Sequence, residues 1–210
     1  YGDMQSDYLD AKNYDYTGKK KSTINKMLKI MSGQLRHDSD YIYIRHYMTT
    51  YQYVPLWVLM NVLTIGQLSK IYASQKGRIQ IKVCQDFGPL KVNEMGKMLA
   101  VMTKFRNVCA HNDRLFDFRT KDALLDRNIY ERLLIPKEKG RYKYGKNDLY
   151  AQVIILKLLL TDEDFRAFFH DLKLCFKKYS VHKVILGKMG FPKNWERIGR
   201  IKKYTKQEMN

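Results

Sequence analysis

The chain has 210 residues, enough for one large domain or two small ones with a sizeable core, and its 45% hydrophobic and 13% aromatic content excludes a disordered protein. With 39 Lys+Arg against 21 Asp+Glu the formal net charge is +18, which points to a polyanionic partner, with RNA the natural one. Three widely spaced cysteines, Cys84, Cys109 and Cys175, imply no disulfide framework and a reducing cytoplasm.

Residues 1–21 are polar and rich in Tyr, Asp and Lys, and read as a peripheral segment ahead of one helical domain over 22–210. From Ser22 to about Leu35, apolar Ile24, Met27, Leu28, Met31 and Leu35 recur at helical spacing, with Ser22 or Thr23 as the N-cap. Residues 41–51 are rich in tyrosine and carry no decisive period. Val54 to Leu63 is apolar nearly all round, as a buried helix is, and Gly66 is expected to interrupt it before an amphipathic stretch from Gln67 to about Ser74. No run is long enough to cross a bilayer, since Val54–Ile65 holds Pro55 and Asn61, and Ile154–Leu160 is cut by Lys157.

Gly88-Pro89 is a breaker, and Pro89 suits the first turn of the next helix. That helix carries Leu90, Met95, Met98, Leu99, Val101, Met102, Phe105, Val108 and Cys109, and should stop near His111, where Asn112-Asp113 forms a turn pair. Trp57, Met60, the methionines of 95–102 and Cys109 are expected in the core. Residues 117–147 are charged and irregular. Leu149–Leu160 and Asp162–Tyr179 read as two more helices, the second capped by Thr161 with Asp164 three positions on. Gly187 and Gly190-Phe191-Pro192 end the next piece, and 193–203 form a short basic helix or tail that includes Lys193, Arg197, Arg200, Lys202 and Lys203 and continues to Lys206. No strand alternation of any length occurs, so the class is all-α.

The segment Arg106-Asn107-Val108-Cys109-Ala110-His111 carries the chemistry. Arginine holds a phosphate bidentately and histidine moves protons near neutral pH. The bare spacing is weak evidence, since 12 Arg and 5 His in 210 residues supply about 0.3 such matches by chance. On an ideal helix Asn107 and His111 share a face, whereas Arg106 lies roughly 140° from His111. Convergence of the two therefore requires the helix to end or unwind near Ala110, which fits the Asn112-Asp113 turn. His111 would then act as general acid or base on an RNA 2′-hydroxyl or a leaving 5′-oxygen, Arg106 would stabilise charge on the phosphorane-like transition state, and Asn107 would orient the imidazole or a phosphate oxygen. No metal is required, because the nucleophile is the RNA's own 2′-hydroxyl. Cys109-Ala110-His111 has no second Cys/His pair nearby to complete a zinc site, so neither metal nor cofactor is expected.

A second basic stretch, Lys137-Glu138-Lys139-Gly140-Arg141-Tyr142-Lys143-Tyr144-Gly145-Lys146, could track a phosphate backbone while Tyr142 and Tyr144 stack on bases, or could be a solvated loop. The RNA-contacting candidates in it are Lys137, Lys139, Arg141, Tyr142, Lys143, Tyr144 and Lys146.

The stretch Phe105 to Leu115 resembles the signature of the Abi-like (abortive-infection) proteins of bacteria. Pro55 to Ser69 looks like a second block of that family, and Gly190-Phe191-Pro192-Lys193-Asn194-Trp195 is similar to its C-terminal end. The resemblance implies membership of the HEPN superfamily, whose members are helical bundles and often metal-independent endoribonucleases, with Arg106, Asn107 and His111 on the motif positions. Asn61, where many relatives have an acidic residue, and Arg114 would be supporting polar residues. The resemblance further implies a phage-defence toxin, a homodimer that brings two motifs together, an antitoxin of RNA or protein, and a further N-terminal helical region that would make this chain the C-terminal part of a longer protein. The rival expectations are a non-catalytic RNA-binding module and a structural dimerisation domain.

Overall fold

A computed structural model describes residues 4–205. Lys206 lies outside the described residues. The described residues are overwhelmingly helical: eleven α-helices and one hairpin of two-residue strands make the fold all-α. The chain divides into two compact units, residues 1–83 and 84–210.

In the first unit the helices are α1 (Gln5–Tyr8), α2 (Lys20–Gln34), α3 (Ile42–Thr50), α4 (Leu56–Met60) and α5 (Ile65–Ser74); α6 (Gly77–Asp86) begins here and contains the division. The periodic stripe of α2 packs on α5, burying Ile24, Met27 and Met31. Met27 and Met31 join Ile44 and Met48 of α3 and Val58 and Leu59 of α4 in one apolar cluster. Each fully buried side chain of this size contributes about 1.5–3 kcal/mol. The helix starts at Lys20, ahead of the Ser22 or Thr23 expected from capping preference.

The N-terminal segment is anchored where its composition suggests a periphery. Tyr8 is fully buried and donates to the Val54 carbonyl at 2.6 Å, and Tyr14 donates to the Tyr8 carbonyl at 2.7 Å. Burial pushes the Tyr8 phenol well above its ordinary range, because the phenolate would be stranded without water.

The block 54–63 forms a five-residue helix and not a buried one. Pro55 sits at its N-cap, Val58 and Leu59 face the core, and Trp57 is 61% exposed, against the expectation that it is core. Gly66 does not interrupt a helix. It lies in the first turn of α5, whose N-cap Thr64 accepts from the Gln67 N–H while Gln67 accepts from the Thr64 N–H, a reciprocal cap.

The second unit contains α7 (Val92–Ala110), α8 (Asn128–Arg132), β1 (Lys137–Glu138), β2 (Arg141–Tyr142), α9 (Leu149–Leu159), α10 (Asp162–Lys178), α11 (Lys183–Lys188) and a 3₁₀ turn at Trp195–Gly199. The central element is α9. Tyr150, Ala151, Val153, Ile154, Ile155 and Leu158 are all buried, and α7 packs on it through Met95, Met98, Val101, Phe105 and Val108. Lys157 is buried with them, its ammonium 4.6 Å from the centroid of Phe165, and desolvation lowers its pKa. The 190–195 block folds as an aromatic cap: Phe191 and Trp195 pack against each other, Tyr150 and Phe176, and Tyr150 donates to the Trp195 carbonyl at 3.1 Å. Gly190 has φ +88°, and a Cβ there would collide with Asp148, so only glycine fits.

Asp148 is the N-cap of α9. It accepts from the Ala151 N–H at 3.0 Å and from the Gly145 N–H at 2.9 Å. Burial outweighs these hydrogen bonds and pushes its pKa up to about 6. Among the described residues no helix is long and apolar enough to cross a membrane.

Candidate functional site

Helix α7 is held at its start by Glu94, which accepts from the Lys91 N–H at 2.7 Å and pairs with Arg127 at 2.5 Å, both side chains being almost fully buried. Its core stripe, Glu94, Met95, Met98, Val101, Phe105 and Val108, follows helical spacing, which leaves Arg106 and Asn107 on the solvent side.

The helix ends through a Schellman arrangement. The Asn112 N–H bonds to the Cys109 carbonyl at 3.3 Å and the Asp113 N–H to the Val108 carbonyl at 3.0 Å, with Asn112 in the left-handed region at φ +54°. The His111 N–H donates to the Asn107 carbonyl at 3.0 Å. Three carbonyls that would otherwise face outward as a partial negative charge are thereby satisfied. The turn beyond is pinned by Phe118 lying edge-on to Phe105 at 5.2 Å. Arg114 pairs with Asp117 at 2.5 Å and lies 4.6 Å from the Phe116 ring centroid, so its side chain braces this turn.

Arg106, Asn107 and His111 are all exposed, and among the described residues none of their side chains makes a hydrogen bond or ion pair. Three polar side chains at a rigid helix terminus are therefore free to meet a ligand. The structure does not bring Arg106 and His111 together. α7 ends at Ala110, as expected, but the His111 N–H still donates to the Asn107 carbonyl, so the winding persists to His111 and helical geometry keeps the two side chains about 140° apart. Asn107 and His111 do share a face. Cys109 is exposed, contrary to its expected core position, because the buried stripe passes through Val108. Asn61 lies in the other unit, where its amide donates to the Trp57 carbonyl at 2.9 Å at the end of α4.

A family model described as Abi-like protein matches residues 2–117, more than half of the chain and inclusive of the α7 terminus. The chain belongs to the Abi-like family. The match takes in the 55–69 and 105–115 blocks of this Abi-like chain, while the 190–195 block lies outside it. No curated protein and no solved structure matches the chain.

The basic stretch of the Abi-like chain is a hairpin. Lys137 stands opposite Tyr142 and Glu138 opposite Arg141, and the turn residues Lys139 and Gly140 have φ +50° and +77°. Backbone bonds from the Thr120 N–H to the Asn147 carbonyl and from the Leu124 N–H to the Lys146 carbonyl tie the segment after α7 to this region. Tyr142 is not an open stacking platform. It is buried, stacked on Tyr130 at 4.8 Å, with the Lys137 ammonium 4.6 Å from its ring centroid and its hydroxyl donating to Glu131 at 3.3 Å. Tyr144 is half-buried with Lys143 over its ring. Three of the cations have carboxylate partners: Lys137 with Glu131, Lys143 with Glu138, and Lys146 with Asp126. Lys139 and Arg141 are exposed and have none among the described residues.

Residues 75–87, where α6 forms, have no assignment from the sequence, and Asp148, a lone Asp before an apolar run, looks there like any other N-cap. Among the described residues no three His, Cys, Asp or Glu side chains are placed to share a metal ion.

Proposed function

We propose that the chain is a metal-independent endoribonuclease of HEPN type that acts in abortive infection, the role that membership of the Abi-like family suggests. The observation that carries this reading is the set of three exposed, unpartnered polar side chains, Arg106, Asn107 and His111, on a terminus locked by the Asn112 turn. The net charge of +18 supplies the attraction for RNA.

In the proposed reaction the imidazole of His111 takes the proton from a ribose 2′-hydroxyl, and the 2′-oxygen attacks the adjacent phosphorus. The bond from phosphorus to the 5′-oxygen breaks, and the leaving oxygen takes up a proton, leaving a 2′,3′-cyclic phosphate and a 5′-hydroxyl. The fork of Arg106 holds the non-bridging oxygens as their charge grows, and Asn107, one turn from His111 on the same face, fixes the imidazole or a phosphate oxygen. Because Arg106 and His111 diverge on one helix, the complete site requires two copies of the motif facing each other across a two-fold axis, each supplying what the other lacks. The chain therefore acts as a homodimer, and a toxin of this kind is held in check by an antitoxin.

The divergence of Arg106 and His111 also favours a second reading, an RNA-binding module that holds RNA without cutting it. Incubation of purified protein with RNA separates the two. Cleavage that disappears in His111→Ala supports the nuclease, whereas binding without cleavage in the parent supports the module.

A further inference from the structure

Away from the α7 terminus, the second unit has a cavity of about 210 Å³ along α10, lined by Phe165, Arg166, Phe169, His170, Lys173 and Gly199. Its floor is apolar: Phe165 and Phe169 are buried and stack 5.8 Å apart with ring planes 15° from parallel. One wall is the 3₁₀ turn at Gly199, where a Cβ would drive into the Phe169 ring, so the backbone comes this near only as glycine.

The rim is basic. Arg166, His170 and Lys173 stand at i, i+4 and i+7, which places them within about 60° of one another around the helix and spreads them over about 10 Å along it. All three are exposed, and among the described residues none pairs with a carboxylate. The ammonium of Lys173 leans over the Phe169 ring, 5.5 Å from its centroid. Of the acidic residues of the same helix, Asp162 and Glu163 stand one turn before Arg166 on its side of α10, yet neither forms an ion pair with it among the described residues, and Asp171 projects about 140° from Arg166.

An anion answers this arrangement, and a phosphate group answers it best. The guanidinium fork can grip two oxygens and a compact ammonium can approach from the far end, with the apolar aromatic floor between them. We propose that this cavity is a phosphate-binding site which holds a backbone phosphate of RNA away from the scissile bond. The inference rests on the RNA reading above for the source of its phosphate; a free phosphate monoester would use the same chemistry.

The test uses the full chain carrying His111→Ala, so that no substrate is consumed, and reads the anisotropy of a labelled single-stranded RNA across a salt series. Adding Arg166→Ala with Lys173→Ala is expected to raise Kd at least ~10-fold at ~100 mM salt and to lower the slope of log K against log salt by about two. The pair Lys26→Ala with Lys29→Ala, exposed on α2, controls for net charge and is expected to have a smaller effect. In a second arm, inorganic phosphate is added and the thermal unfolding midpoint is read. If phosphate stabilises the parent but not the cavity variant, while RNA affinity and slope are equal in both, a phosphate monoester replaces RNA as the ligand. Equal RNA binding and equal phosphate response in parent and cavity variant, or an equal loss in the α2 control, overturns the site. Failure of the nuclease reading shows separately, as absence of cleavage in protein that retains His111.

Discussion

The His111 N–H donates to the Asn107 carbonyl at 3.0 Å, so α7 keeps its winding up to the residue that bears the imidazole. This one bond decides the geometry of the motif. It places Asn107 and His111 on one face and sends Arg106 about 140° round the axis. In the proposed nuclease, a site that needs both the guanidinium and the imidazole takes them from two copies of the chain.

Mixing tests that consequence. Arg106→Ala and His111→Ala proteins are each expected to be inactive on RNA. When they are combined and allowed to exchange subunits, half of the dimers are mixed, and each mixed dimer keeps one site in which both residues are intact. Activity should return to about a quarter of the parent level. Mixed protein that stays as inactive as either variant alone, with exchange shown by mass spectrometry, contradicts a shared site.

The terminus itself depends on Asn112, held at φ +54°. Asn112→Val puts a β-branched side chain in the left-handed region and is expected to lower stability by about 1–3 kcal/mol in urea unfolding, with a matching loss of cleavage. Asn112→Gly should be neutral or slightly stabilising, because glycine is at ease there. Equal stability of the Val and Gly variants would show that the turn does not constrain the motif.

Much of this architecture is legible in the sequence because it is periodic. The stripes of α2, α7, α9 and α10, the stop at Asn112-Asp113 and the Thr161 cap all follow from spacing and turn chemistry. What is not legible depends on partners distant in the chain. Tyr8 looks like part of a polar leader until the Val54 carbonyl is placed over it. Trp57 looks like core because hydrophobicity carries no direction in a helix of under two turns. Tyr142 reads as a free aromatic among cations, yet Tyr130 covers it. For the motif, the sequence supplies the residue types but leaves the ending open: a turn pair after His111 is compatible with a helix that unwinds before it and with one, as found, that does not.

The hairpin gives a graded prediction for RNA binding. Lys139→Ala and Arg141→Ala, which remove cations without carboxylate partners, should each lower the salt slope by about one and weaken binding at all sequences. Tyr142→Ala should lower stability by about 3–5 kcal/mol, as loss of a buried aromatic ring does. Tyr142→Phe, which keeps the stack, should leave RNA affinity unchanged in a binding titration. A large loss of affinity in the Phe variant would mean that the hydroxyl contacts RNA.

Asp148 makes stability depend on pH with an unusual sign. Its pKa is pushed up to about 6 in the folded chain against an ordinary value of 3.8, so the folded state holds this proton more tightly than the unfolded chain does. The contribution is fully present below pH ~4 and is lost as pH rises through 6, a change of about 1–3 kcal/mol. Urea unfolding at pH 4 and at pH 7 should show this fall in the parent, relative to Asp148→Asn, which keeps an acceptor for the cap but does not titrate. Parallel pH profiles for the two proteins would rule out the raised carboxyl.

In the proposed mechanism His111 moves the proton while the RNA's own 2′-hydroxyl attacks. The most direct measurement is mass analysis of the ends produced when RNA is incubated with the protein in EDTA, using a ribose substrate and one with a single 2′-deoxy residue at the cut. Attack by the 2′-hydroxyl predicts 2′,3′-cyclic phosphate ends from the ribose substrate, no cut at the deoxy position, and a rate lowered about 10²- to 10⁴-fold in His111→Ala. Cleavage at the 2′-deoxy position, or activity that vanishes in EDTA and returns with zinc or magnesium, would contradict it.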